Sequence, residues 1–106
     1  MNTKSNCITD IAASVRRTSE WRRNICCQRF PDARNIPAAE KLEQIATEMA
    51  ALDDASWAQL SKHYNWASPT WSDAVSETSR AVVFRGVRTS EDFVNRLIEI
   101  LNRSGS

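Results

Sequence analysis

The chain has 106 residues, 42% of them apolar, with only two glycines and three prolines. That is the length of one domain, and it is too apolar and too poor in turn residues for a disordered chain. A formal charge of +1 gives no strong pull toward nucleic acid or a membrane surface.

Periodicity predicts a first helix over residues 8–26. Ile8, Ile11, Ala12, Val15, Ser19 and Cys26 fall on one face at about 100° per residue. Thr9 or Asp10 is positioned to cap its start, and residues 1–7 are expected to fray. Phe30 and Pro31 mark its end, because the residue before proline avoids the helical region.

A second helix is expected from about Pro37, with Asn35 or Ile36 just outside it. Leu42, Ile45, Met49 and Leu52 give it the clearest apolar stripe in the chain. Asp53 and Asp54 close that helix and offer a cap for a third, on which Trp57, Leu60 and Tyr64 share a face. "NWASPT" breaks the third helix. Ser68 then suits an N-cap and Pro69 a first helical position.

The fourth helix is expected to present Trp71, Ala74, Val75, Thr78 and Val82 on one side, with Gly86 closing it. "AVVF" is the one strand-like run, and it continues this helical stripe. Thr89 caps a fifth helix, Asp92 completes a capping-box pattern, and Phe93, Val94, Leu97, Ile98 and Leu101 face the core. Residues 103–106 are expected to fray. The resulting expectation is an all-α fold, a compact bundle of about five short helices forming a single domain over residues 1–106.

Several function classes are excluded at this level. No run reaches the roughly 20 apolar residues needed to span a bilayer, so no membrane partner is expected. "MNTKSNCITD" lacks the apolar segment of a secretory signal. Three cysteines, two of them adjacent, do not suit a disulfide framework, and the cytoplasm is the expected location. There is no glycine-rich phosphate loop, no paired-histidine zinc motif and no nucleophilic serine turn. The expectation is therefore a protein without enzymatic activity and without a cofactor.

Residues 21–35, "WRRNICCQRFPDARN", hold two cysteines and four arginines. Cys26 falls on the core face and Cys27 at its rim, as packed thiols would. Adjacent cysteines on a helix diverge, and Cys7 and His63 do not supply zinc-ligand spacing, so no metal site is expected. Arg22 and Arg29 bracket one side of the apolar face, Arg16 and Arg23 bracket the other, and Arg17 points away. Bracketing arginines lay their stems on a core edge and keep their heads in water. Trp21 and Ile25 form a second, narrower apolar patch. It is either a further core contact or an exposed patch for a partner. Trp21, Ile25, Arg22 and Arg29 are the candidate partner-binding residues.

"LSKHYNWASPTWSDAV", residues 60–75, resembles a helix-turn-helix and gives a corner at residues 57–82. Leu60-Ser61 end the first helix of the pattern, Asn65 takes the turn position that tolerates positive φ, and Trp66 fills the apolar turn position. The resemblance implies DNA contacts by Thr70 and Ser72, with Arg80, Arg85 and Arg88 behind them. The would-be reading helix also carries Asp73 and Glu77, and residues 37–79 have a net charge of −5. Phosphate contacts need lysine or arginine there. The expected function is accordingly protein–protein interaction as an adaptor, inhibitor or regulator. Another protein, or a second copy in a homo-oligomer, would be the partner. The alternative is a helix-turn-helix DNA-binding regulator.

Overall fold

The computed structural model describes residues 3–26, 34–65, 67–82 and 85–104. Five α-helices are found among them: α1 Lys4–Trp21, α2 Asn35–Glu48, α3 Asp54–Ser61, α4 Pro69–Arg80 and α5 Ser90–Ser104. A π-helical turn, Arg22–Cys26, extends α1, and a 3-10 turn, Met49–Ala51, extends α2. Among the described residues there is no strand, only one isolated bridge between Val82 and Val87. The all-α expectation holds.

Helix α1 starts earlier than its periodicity suggested. The cap is Thr3, not Thr9 or Asp10, and its Oγ1 accepts from the Asn6 amide at 3.1 Å. Residues 4–7 are therefore helical, where fraying was expected. The reason is Cys7, which is wholly buried beside Ile11 and carries the apolar stripe one turn further back. The face continues through Ala12, Val15 and Ser19. Ser19 is buried but satisfied, because its Oγ donates to the Ala39 carbonyl at 2.9 Å. Ala38 and Ala39 are fully buried, and these small side chains let α1 and α2 pack closely. That pair is the most extensive packing in the fold.

The stripe of α2 is buried as read: Leu42, Ile45, Met49 and Leu52 all belong to the core. The helix begins at Asn35, so Pro37 sits in its first turn. The backbone amides there have no intrahelical partner, and proline's missing donor is tolerated. Asp53 caps α3, accepting from the Ser56 amide at 2.6 Å.

Three departures concern the second half. First, α3 ends at Ser61, so Tyr64 is buried from a connector and not from a helix. Asn65 shapes that connector through an Asx turn, its Oδ1 accepting from the Ala67 amide at 3.1 Å. Second, α4 stops at Arg80, short of Val82. Val82 leaves the helix to bridge Val87, and Gly86, at φ 84°, makes the intervening turn. A left-handed φ is what glycine permits without strain, so Gly86 serves the loop and is not the helix cap. Third, Ile100, not among the expected core residues, is buried on α5, while Ile98 is half-buried and packs against the core as expected. The α5 cap is as read in part. Thr89 Oγ1 accepts from the Asp92 amide at 3.1 Å, while Asp92 reaches back to the Arg88 amide at 3.2 Å.

Aromatic rings tie the middle of the molecule together. Tyr64 stacks edge-to-face between Trp57, at 6.3 Å, and Trp71, at 5.0 Å. The buried Trp71 indole donates through Nε1 to Asp10 Oδ2 at 2.6 Å. Asp10, expected as a cap, instead anchors α4 to α1.

Candidate functional site: an arginine and tryptophan cleft

Helices α1 and α4 pack through their core stripes and leave a cleft of about 330 Å³ beside them. From α1 it is lined by Ser14, Arg17, Thr18 and Trp21, at i, i+3, i+4 and i+7. From α4 come Ser72, Ser76 and Arg80, at i, i+4 and i+8. Each set is a single helical stripe. The short serine and threonine side chains leave the volume open. The arginines and the tryptophan border it.

Trp21 keeps 41% of its surface exposed, far more than the buried Trp71. Trp21 is therefore not a core residue. Arg17 is exposed, off the core face as expected, and donates through Nη2 to Ser14 Oγ at 3.0 Å at the edge of the cleft. No carboxylate lines this cleft among the described residues.

A smaller cleft of about 180 Å³ is lined by Glu77, Arg80, Ala81, Arg85 and Arg96. Arg80 borders both clefts. A third cleft, of about 300 Å³, has the opposite character, with Glu48, Asp53 and Glu91 and no basic residue among its lining.

Arg22 has a structural position. It is only 6% exposed. Its Nη1 donates to Asn35 Oδ1 at 3.2 Å and its Nη2 to the Arg80 carbonyl at 3.1 Å. The last carbonyls of a helix lack intrahelical partners, and a cation there also suits the helix dipole. Arg22 therefore closes the C-terminus of α4 and is not a surface contact, correcting its expected place on a solvated rim. The π turn, with its wider i to i+5 bonding, begins at this residue.

The other candidates divide. Trp21, Ser72 and Arg80 come together in the larger cleft, and Arg80 and Arg85 in the smaller one. Thr70 and Arg88 are exposed and line neither. Arg29, Cys27 and Trp66, and the side chains of Ile25 and Cys26, lie outside the described residues. Ser14, Arg17, Thr18, Ser76 and Arg96 were not singled out from the sequence. The i, i+3, i+4, i+7 spacing of the α1 set was available there. Its pairing with α4 was not.

The helix-turn-helix resemblance meets a different geometry. Seven residues, 62–68, separate α3 from α4. The motif joins its helices by a turn of three or four. Helix α4 packs chiefly on α5 and α1.

Chemistry elsewhere is muted. Burial pushes the Cys7 thiol up to about 12, with the charge of Asp10 adding to the effect, so it stays protonated and unreactive near neutral pH. His63 Nε2 lies 3.1 Å from Asn102 Oδ1 and docks the connector on α5. Among the described residues no three His, Cys, Asp or Glu side chains gather to hold a metal ion. No helix among them is long and apolar enough to cross a membrane. No family model, no curated protein and no solved structure matches this chain.

Proposed function

We propose that the protein acts by binding a partner protein at the cleft between α1 and α4, without chemistry of its own. The observation that carries this reading is the convergence of Trp21, Arg17 and Arg80 on one cleft that no carboxylate lines among the described residues. A half-exposed tryptophan flanked by arginines is the composition of an interaction anchor. Paired guanidiniums select an acidic partner surface. A hydroxyl nucleophile needs an adjacent base, and neither histidine nor carboxylate lines the cleft beside Ser14, Thr18, Ser72 and Ser76. That supports binding over catalysis.

DNA reading has less support. Asp73 and Glu77 lie exposed along α4, and a duplex groove would bring phosphates against them. The seven-residue connector also departs from the geometry that presents a reading helix.

The test is affinity capture on the intact protein from its host, comparing the native chain with Trp21→Ala and Arg80→Ala by quantitative mass spectrometry. Partners lost on both variants support the cleft. A second copy is included in the screen, since the acidic cleft of Glu48, Asp53 and Glu91 offers matching charge. Sedimentation of the protein alone reports that case. Partners retained in full by both variants would remove the cleft from consideration.

A further inference from the structure

The smaller cleft is lined by three arginines and one glutamate. Arg80 arrives from the last turn of α4, Arg85 from the loop beyond it, and Arg96 from the middle of α5. Arg80, Arg85 and Arg96 are in no ion pair among the described residues. Arg96 is half-buried, and its Nε is fully buried without a hydrogen-bond partner among the described residues. Buried donors are ordinarily satisfied, and this one has no acceptor among the described residues. Three cations outnumber the one carboxylate in this lining, so the cleft carries an excess of positive charge.

From this arrangement we infer that the cleft of Arg80, Arg85 and Arg96 is a phosphoryl-binding site, and that its ligand is a phosphorylated serine or threonine on the partner segment. The guanidinium fork matches phosphate oxygens two at a time, and a phosphomonoester carries a charge of about −2 near neutral pH. Arg80 borders both clefts. A segment whose phosphate sits among the three arginines therefore runs on toward Trp21 and Arg17. The inference rests on the partner-binding reading of that larger cleft and specifies its ligand.

A single dianion fits this surface better than a nucleic-acid strand. Glu77 lines the phosphoryl cleft itself, Asp73 is exposed one turn earlier on α4, and the whole chain has a formal charge of only +1. A strand with a phosphate at every nucleotide would pass over these carboxylates. A peptide with one phosphate need not.

The experiment presents the immobilised full chain with a degenerate phosphoserine and phosphothreonine peptide library, the same library unphosphorylated, and a random single-stranded oligonucleotide. Inorganic phosphate is added as competitor. The phosphorylated library should be retained, and retention should weaken by about tenfold or more in Arg85→Ala and in Arg96→Ala, the scale of one lost charge-assisted hydrogen bond. Glu77→Gln should strengthen retention, a gain that no misfolded variant would show. Equal retention of the two libraries, or of neither, would overturn the phosphoryl site. So would phosphopeptide binding indifferent to all three substitutions, or tighter binding of the oligonucleotide. Competition by inorganic phosphate as strong as by the peptides would overturn the peptide assignment. Trp21-dependent capture of unphosphorylated acidic peptides would leave the partner-binding cleft standing while this inference fell. Loss of Trp21 dependence would remove the cleft reading itself.

Discussion

Arg22 Nη2 donates to the carbonyl of Arg80 at 3.1 Å, joining residues 58 positions apart at the ends of α1 and α4. Arg80 is thereby held from behind by its backbone while its side chain faces both basic clefts. Arg22→Met should keep the stem packing and remove the hydrogen bonds to Asn35 Oδ1 and the Arg80 carbonyl. The expected loss is about 2–4 kcal/mol in urea unfolding. Arg22→Lys should recover little, because one ammonium lacks the fork that reaches two acceptors. A change below about 0.5 kcal/mol in the Met variant would show that the clamp is not needed.

The core stripe of α2 gives the second prediction. Ile45 is wholly buried among Leu42, Met49 and residues of the facing helices. Ile45→Ala should destabilise by about 2–5 kcal/mol, the range for such truncations. Chemical denaturation followed by far-UV circular dichroism reads this, and an unmoved midpoint would contradict the packing described.

Alkaline stability should depend on Cys7. Its thiol is raised from 9.0 to about 12 in the folded chain, by burial first and Asp10 second. Between these values the unfolded chain loses the proton and the folded chain keeps it. The contribution is complete below pH 9.0 and disappears as pH rises toward about 12. The slope from one such group reaches about 1.4 kcal/mol per pH unit. Cys7→Ala should flatten the decline relative to the native chain. In the folded protein at neutral pH, Cys7 should also resist a thiol reagent that labels it after denaturation. Labelling of Cys7 at the same rate in both states would rule out its burial.

Trp21 and Trp71 should behave oppositely on substitution. Trp21→Ala should change unfolding by less than about 1 kcal/mol, given its exposed position, and weaken partner binding by more than about 2 kcal/mol. Trp71→Phe removes the donor to Asp10 Oδ2 from a buried site and should cost about 1–3 kcal/mol of stability. A double-mutant cycle with Asp10→Ala isolates that bond. A coupling near zero would mean that the 2.6 Å contact adds nothing to stability.

Sequence legibility followed the length scale of the interaction. Local signals read well. Leu42, Ile45, Met49 and Leu52 announced a buried face, Asp53 and Thr89 announced caps, and Pro69 announced a helix start. Helix ends read less well where a tertiary contact decided them. Cys7 extended α1 because a neighbour covers it, and Val82 left α4 because Val87 lies opposite. The cleft was half-legible. Trp21, Ser72 and Arg80 were each singled out, but under two different functions, because nothing local indicates that α1 and α4 share a seam. Arg22 illustrates the same limit. Its spacing places it on a rim, while Asn35 and Arg80, which accept from it, come from elsewhere in the chain.

The stack of Trp57, Tyr64 and Trp71 has an optical consequence. Three rings fixed edge-to-face, one of them tied to a carboxylate, form a chiral chromophore that exists only while α1, α3, α4 and the connector are docked. Its near-UV circular dichroism should vanish when side-chain packing is lost, even under conditions that leave the helices and their far-UV signal intact. Trp21 stands apart from this stack at the cleft, so its emission answers to solvent and ligand there. Among the described residues, the stack thus reports on the integrity of the interior, and Trp21 on the surface cleft.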